Sequence, residues 1–237
     1  MENQKSKISK PERPLSLCGC GALAVEIIEA YLVIADLNKT SVFVKYIVDE
    51  KHDKGYLKQI DDLLDHFKIK ERPILCSSLK EVDSESSDFI IAIGSCPMLR
   101  DKVYGELVQR GVTLKTIVHP SSYVSPGAKL GEGIFINQSC IIGYGTFISA
   151  NVFINNFSIV AHGSTVGQST IISPGAKLSG DVVIEEMCSI STGAVIDRGS
   201  RLRKKSVVSA LAFYSRKNGK EKGLYIGNPA RECSKSQ

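Results

Sequence analysis

His162 is the residue of this sequence whose type and position are best suited to acid–base chemistry. It is one of four histidines. His52 and His66 precede the repeated segment at residues 118–208, His119 stands at its beginning, and His162 lies well within it. An imidazole with an unperturbed pKa of about 6.5 can take a proton from an attacking amine or hydroxyl near neutral pH. The next residue is Gly163, so the adjacent sequence offers no carboxylate, and we expect a backbone carbonyl or Asn155 to orient the ring. A surface histidine without a catalytic role is the alternative interpretation.

A second group of candidate residues follows three apolar runs, at residues 15–18, 42–48 and 89–93. Ligands of open α/β sheets bind at the carboxyl ends of the strands, and a glycine turn before a helix can seat a phosphate on backbone N–H groups. We therefore expect the residues after these runs to form one crevice. They are Gly19, Cys20, Gly21, Ala22, Asp49, Glu50, Lys51, Gly94 and Ser95. Ordinary turn formation by the glycines is the alternative interpretation.

The elements that position this crevice are predicted from the apolar spacing. Helical spacing follows the first run, at residues 23–35, and helices are also expected at 57–67 and 102–110. Strands that alternate with helices predict a small doubly wound α/β domain over residues 14–112. A disordered tail is expected at residues 1–13, where the sequence is polar.

From Val118 to Val208 the sequence repeats every six residues. Every sixth position is Val, Ile or Leu, and the residues four positions further on are small or β-branched, with Ile134 the largest of them. Three such units make one triangular coil, and coils stack so that equivalent positions lie above one another. This pattern predicts a parallel β-helix over residues 113–210, followed by a C-terminal loop and closing segment at 211–237.

The length of a coil, three repeat units, also predicts the neighbours of His162. Tyr144 occupies the equivalent position one coil earlier, and Gly180 occupies it one coil later. Because His162 is the second residue after an inward aliphatic position, it should project from a corner of the β-helix. A glycine beside it is expected to leave room for a ligand chain to pass.

Composition excludes several classes of function. Seven scattered cysteines argue against a disulfide framework and favour a reducing compartment, and neither a secretory signal nor a long apolar run is present. The formal charge of +5 is mild, and no aromatic platform interleaves with the basic residues. We predict a cytoplasmic protein with no membrane span, no bound nucleic acid and no metal site.

Several motifs resemble those of the hexapeptide-repeat acetyltransferases, which include nucleotide-sugar N-acetyltransferases and sialic acid O-acetyltransferases. The matching segments are 19–22 (GCGA), 48–50 (VDE), 92–95 (AIGS) with Leu99 and Arg100, 119–125 (HPSSYVS), 155–156 (NN), 173–180 (SPGAKLSG) and 227–231 (GNPAR). The resemblance implies an N-terminal Rossmann-like domain followed by a left-handed parallel β-helix. It also implies a homotrimer with sites between subunits.

The function implied by the resemblance is acetyl-CoA-dependent acetylation of the amino group of a nucleotide-linked amino sugar in bacterial surface glycan synthesis. His162 would be the general base of a direct transfer. The crevice, with Arg100 and Asn155, would bind the nucleotide sugar. Basic residues late in the chain would meet the phosphates of CoA; they are Arg201, Arg203, Lys204, Lys205, Arg216, Lys217, Lys220 and Lys222. The residues expected to contact acetyl-CoA are Ile171, Gly180, Thr192, Gly193, Ala194 and Ala210.

Two departures from the family pattern keep other functions open. The family places Asp or Glu after the histidine where this chain has Gly163, and several relatives have a second histidine where this chain has Ile171. One alternative is an O-acetyltransferase of a sialic-acid-like sugar. The other is a non-catalytic scaffold with the same fold.

Overall fold

The N-terminal part of the computed structural model is a four-stranded parallel sheet with helices. The structure describes residues 13–51, 53–215 and 222–232. The elements are β1 (Leu15–Cys18), α1 (Ala22–Asn38), β2 (Val44–Val48), α2 (Lys54–His66), β3 (Ile74–Cys76), a 3-10 turn (Leu79–Glu81), β4 (Asp88–Ile91) and α3 (Pro97–Gln109). The strand order is β3-β2-β1-β4, which places β1 and its glycine turn in the middle of the sheet.

Local signals explain why two helices begin earlier than predicted. The Asp53 carboxylate accepts hydrogen bonds from the backbone N–H groups of Gly55 and Tyr56, so α2 begins at Lys54. Pro97 starts α3, where its fixed φ suits the first turn and its missing N–H has no helical partner to lose. The predicted first strand is confirmed, and β2 and β4 are shorter than predicted.

Arg13 corrects the predicted extent of the N-terminal tail. Residues 1–12 lie outside the described residues, but Arg13 belongs to the fold. Its guanidinium lies 3.3 Å from a carboxylate oxygen of Asp88 and also donates to the backbone carbonyls of Glu85 and Ser87.

The repeated segment forms a parallel β-helix of about six turns, as predicted. Its two-residue strands are β5 (Ile117–Val118), β6 (Tyr123–Val124), β7 (Lys129–Leu130), β8 (Phe135–Ile136), β9 (Ile141–Ile142), β10 (Phe147–Ile148), β11 (Phe153–Ile154), β12 (Ile159–Val160), β13 (Thr165–Val166), β14 (Ile171–Ile172), β15 (Lys177–Leu178), β16 (Val183–Ile184), β17 (Ser189–Ile190), β18 (Val195–Ile196), β19 (Arg201–Leu202), β20 (Val207–Val208) and β21 (Phe213–Tyr214). Each strand pairs with the equivalent strand of the next coil, as Phe153 pairs with Ile171.

The three faces of the β-helix are parallel sheets. The first contains β5, β8, β11, β14, β17 and β20, the second contains β6 to β21 in steps of three, and the third contains β7 to β19 in the same steps. The strands β22 (Leu224–Ile226) and β23 (Arg231–Glu232) extend the first sheet. The β-helix continues past the predicted end at residue 210, because β21 pairs with β18.

The interior of the β-helix explains both sequence series. The aliphatic positions form one buried column, in which Ile154, Val160 and Ile172 are fully buried. Several of the small residues at the inner corners carry hydroxyl groups that bond to the next coil, as Ser164 Oγ donates to the Ser179 carbonyl at 3.0 Å. A larger side chain there would have no space, and a polar group without this partner would be costly to bury.

The N-terminal part packs against the outer face of the first sheet. Phe135, Phe153 and Ile171 point away from the β-helix interior and join the apolar cluster of β1 and α1. The rings of Phe135 and Phe153 stack with their centroids 5.8 Å apart. Within the described residues, no helix has the length and apolar character needed to cross a membrane.

Candidate functional site

His162 lies at a corner of the β-helix between the second and third sheets. The turns that join the second sheet to the third are stacked coil on coil, and we call this stack the histidine corner. It comprises residues 125–128, 143–146, 161–164, 179–182 and 197–200. The side chain of His162 is 58% exposed, and the neighbouring coils place Tyr144 and Gly180 beside it as predicted. The backbone N–H of Gly163 donates to the Tyr144 carbonyl at 3.0 Å.

Gly180 does not leave an open passage beside His162. A Cβ atom at position 180 would lie 2.6 Å from Cε1 and 2.7 Å from Nε2 of the imidazole. The ring of His162 therefore occupies the space that the missing side chain provides. This corrects the prediction of room for a ligand chain, and it shows that any larger residue at position 180 would displace the ring.

A carboxylate, that of Asp181, lies beside His162 although the residue next to His162 in the sequence is a glycine. Its Oδ1 atom is 3.8 Å from Nδ1 of His162. Asp181 belongs to the next coil, at the position equivalent to Gly163. The repeat length was the signal that could have found it, because stacking brings position 181 above position 163.

The predicted crevice at the carboxyl ends of the strands exists. Its volume is about 680 Å³, and Gly19, Cys20, Gly21, Ala22, Asp49, Lys51, Gly94, Ser95 and Asn155 are among the residues that line it. Glu50 does not line this crevice; it lines a second cavity of about 470 Å³. One crevice thus brings the three strand ends together with Asn155 of the β-helix.

Asp49 links the ends of β1 and β2 at this crevice. Its Oδ2 accepts a hydrogen bond from the backbone N–H of Cys20 at 2.9 Å, and its Oδ1 accepts one from Lys51 at 2.9 Å. Burial raises the pKa of the Cys20 thiol to about 11, and the nearby carboxylates of Asp49 and Asp53 add to this rise. Cys20 is therefore a neutral thiol at physiological pH, unsuited to act as a nucleophile.

Three polar side chains of the crevice, those of Glu26, Asp53 and Tyr56, were not predicted from the sequence. Glu26 accepts a hydrogen bond from Asn137 Nδ2 at 2.9 Å, and the same Nδ2 lies 3.2 Å from Oδ1 of Asn155. Burial raises the pKa of the Glu26 carboxyl, a shift that the Asn137 hydrogen bond opposes. The position of Glu26 one helical turn after the glycine turn is the signal that could have identified it.

Arg100 is placed away from the crevice, which corrects its predicted role in binding substrate. The side chain is fully buried. Its Nε donates to the Asn151 carbonyl at 2.7 Å, and its Nη1 donates to the carbonyls of Ile91 and Ile93 at 2.7 and 3.2 Å. Burial lowers the pKa of this guanidinium to about 9. Arg100 connects the N-terminal sheet to the β-helix.

Five of the six residues predicted to contact acetyl-CoA separate into two sets, and the sixth, Gly180, lies beside His162. Ile171 is 2% exposed and Ala194 is fully buried, so neither offers surface to a cofactor; the first is covered by the N-terminal part and the second faces the β-helix interior. Thr192 and Ala210 are exposed and Gly193 is partly exposed. These three lie at the corner between the first and second sheets.

We call that column the pocket corner, because Asn155 of the crevice also belongs to it. It comprises residues 119–122, 137–140, 155–158, 173–176, 191–194 and 209–212. His162 lies on the histidine corner and does not line the crevice. Within one chain, the crevice and His162 are therefore separated by the width of the second sheet.

Two of the late basic side chains are already paired. Arg201 and Arg203 lie 2.8 and 3.0 Å from Oε1 of Glu185. Arg216, Lys217 and Lys220 lie outside the described residues. Across residues 13–51, 53–215 and 222–232, no group of three or more His, Cys, Asp and Glu side chains is arranged to hold a metal ion.

Comparison with solved structures finds proteins of similar architecture over nearly the whole chain. PerB from Caulobacter crescentus, solved with CoA and GDP-perosamine, is 22% identical with a TM-score of 0.69, covering 93% of this chain and 97% of PerB. The acetyltransferase domain of PglB from Neisseria gonorrhoeae is 23% identical with a TM-score of 0.71, covering 94% of this chain and all of that domain. This chain has their fold.

A third protein, WeeI from Acinetobacter baumannii, is 21% identical with a TM-score of 0.51, covering 92% of this chain and 99% of WeeI. No family model matches the sequence. The likeness to the hexapeptide-repeat acetyltransferases expected from the motifs is thus confirmed at the level of the fold.

Proposed function

We propose that this protein is an acetyl-CoA-dependent acetyltransferase that acts on the amino group of a nucleotide-linked amino sugar, with His162 as general base. The observation that carries the proposal is the full-length likeness to proteins solved with CoA and GDP-perosamine or with acetyl-CoA. The crevice and the corner histidine give this chain the parts that such a reaction needs. Acetyl-CoA is a co-substrate, and the reaction needs no metal.

The proposed reaction is a direct transfer. The sugar amine attacks the thioester carbonyl of acetyl-CoA while Nε2 of His162 takes a proton from the nitrogen. The C–S bond then breaks, the amide forms, and the CoA thiolate leaves and is protonated. A backbone N–H group that donates to the developing oxyanion would lower the barrier further.

The crevice is the proposed site of the nucleotide diphosphate, in a Rossmann-like domain. Helix α1 begins directly after the glycine turn, so its free N–H groups and its dipole favour an anionic group there. Gly21 is the N-cap of this helix, and a Cβ atom at this position would meet no atom within 4 Å. This open space gives a direct test of phosphate binding.

Gly21→Asp is expected to raise KM for the nucleotide sugar at least about tenfold while preserving the fold. Aspartate is a favoured N-cap residue, and its charge would repel the diphosphate at the helix N-terminus. Gly21→Asn is the matched neutral control and should change KM much less. Steady-state kinetics with thermal melts of both variants decide the point. Equal KM values for the two variants would place the phosphates elsewhere.

We also propose a homotrimer of left-handed β-helices in which each site is shared by two subunits. The separation of the crevice from His162 within one chain supports this arrangement. A neighbouring subunit would bring its histidine corner to the pocket corner of the first. Thr192, Gly193 and Ala210 would then face acetyl-CoA from the same side as Asn155.

Mixing two impaired variants tests the shared site, provided that the nucleotide sugar is kept well below the KM of Gly21→Asp. Gly21→Asp carries an intact His162, and His162→Ala carries an intact crevice. If the crevice and histidine come from different subunits, equal co-expression should restore about a quarter of the wild-type activity by random assembly of the ring. No restoration in purified mixed oligomers, each shown to contain both chains, would contradict sharing.

The position of the acetyl group on the product distinguishes the proposed acceptor from the alternatives. NMR of the purified product should show an amide. An ester would instead indicate an O-acetyltransferase. Binding of the nucleotide sugar without any product would indicate a scaffold.

A further inference from the structure

We propose that Asp181 is the positioning carboxylate of His162, supplied by the adjacent coil in place of a residue next in sequence. The inference rests on the proposed function and deepens it. It is based on the stacking of positions 163 and 181 in adjacent coils, where Gly163 lies below Asp181. The carboxylate that the sequence of one coil lacks is present in the fold.

The geometry directs Asp181 at one nitrogen of the ring. Oδ1 is 3.8 Å from Nδ1, longer than a hydrogen bond, and such contacts often tighten when substrate binds. The carboxylate would accept the proton of Nδ1–H and so hold the tautomer with Nε2 unprotonated. The packing of the ring on Gly180 restricts its rotation, leaving Nε2 as the base.

Gly163 is the residue that makes this contact possible. A Cβ atom at position 163 would lie 2.5 Å from Oδ1 of Asp181, so any side chain there would push the carboxylate away. Gly163 has φ of +67° and Asp181 has φ of +60°, which means that both positions use the left-handed conformation. Glycine and aspartate both tolerate it better than most residues.

Arg198 holds the other side of the carboxylate. Its Nε and Nη2 atoms donate to Oδ2 of Asp181 at 3.1 and 2.8 Å. Position 198 is two coils above His162, so three successive coils supply the base, the carboxylate and the guanidinium. The remaining titratable side chains at this corner between positions 143 and 200 are those of Tyr144 and Asp197.

The carboxylate also has a role after proton transfer. When Nε2 takes the proton of the amine, the ring becomes an imidazolium whose positive charge faces Asp181. A negative group within about 4–6 Å stabilises that charged form. Asp181 thus acts through His162 without touching the substrate.

Asp181→Asn tests the role with little change in shape, since asparagine also accepts the left-handed conformation. We expect kcat to fall about tenfold, with KM for both substrates nearly unchanged, since such a residue acts on the proton transfer alone. Glu186→Gln is the matched control, an exposed carboxylate at another corner; it should leave kcat and both KM values unchanged.

A reciprocal swap of positions 163 and 181 tests the same pairing in case Asp181→Asn disturbs the fold. The double variant Gly163→Asp/Asp181→Gly moves the carboxylate into the coil of His162 and removes the atoms that would clash with it. We expect it to recover most of the lost kcat with KM for both substrates nearly unchanged. A double variant that folds but remains as impaired as Asp181→Asn would overturn the proposal.

NMR of the His162 ring nitrogens separates this inference from the proposed function, since it needs no turnover. The Nδ1–H tautomer should be less populated in Asp181→Asn than in the wild type, and unchanged in Glu186→Gln. Equal tautomer populations would overturn the pairing even if acetyl transfer is found. A changed population in a protein without transferase activity would support the pairing while the proposed function fails.

Discussion

Replacing His162 by alanine is expected to lower kcat for acetyl transfer about 10²- to 10⁴-fold, the usual contribution of a positioned general base. KM for acetyl-CoA and for the nucleotide sugar should change little, because His162 lies outside the crevice. The melting temperature should also be nearly unchanged, since the side chain is 58% exposed. Steady-state kinetics with saturating acetyl-CoA measure the effect.

His66→Ala is the matched control for this prediction. His66 is exposed at the end of α2, away from the β-helix, and its loss should leave kcat unchanged. If His162→Ala retained wild-type kcat, another base would have to be sought. The histidine corner would then have a structural role only.

The largest expected effect on stability comes from Arg100→Met. This change keeps most of the apolar volume and removes hydrogen bonds to three buried or partly buried carbonyls, those of Asn151, Ile91 and Ile93. Leaving buried acceptors without a donor costs about 1–3 kcal/mol each, and relief of the buried charge offsets part of this. We expect the free energy of unfolding to fall by about 3 kcal/mol.

Arg110→Met is the control for that measurement. Arg110 follows the same helix, forms a partly exposed ion pair with Glu106 at 3.0 Å and donates one hydrogen bond to the Leu79 carbonyl, so its loss should cost about 1 kcal/mol. Urea denaturation of the two variants gives the comparison. Equal destabilisation would show that Arg100 does not connect the two parts of the chain in the way its contacts indicate.

The β-helix was predictable because its signal is regular and repeated. Each coil buries the same positions, so the aliphatic series from Val118 to Val208 specifies register as well as fold. The same repeat placed Tyr144 and Gly180 beside His162. The position of the turn glycines and Asp49 in one crevice was predictable, because the carboxyl ends of neighbouring parallel strands meet at the same edge of a sheet.

The residues whose roles were predicted wrongly are those placed by contacts between distant parts of the chain. Arg100 and Ile171 were assigned to ligands because of the family resemblance, but packing of the N-terminal sheet on the β-helix buries both. Asp181 was missed because only the residue adjacent to His162 was considered. Glu26 was missed because its partner Asn137 lies far along the chain, in the β-helix, a pairing that no local pattern contains.

The most direct test of the central claim is release of CoA thiol from acetyl-CoA by the wild-type protein, measured with a panel of UDP-, GDP- and TDP-linked amino sugars. The matched control for each is the same sugar with a hydroxyl in place of the amine. The proposed function predicts thiol release with at least one amino sugar, in step with the appearance of an N-acetylated product, and none with its hydroxyl counterpart. Absence of release across the panel, or equal release with both members of a pair, would contradict it.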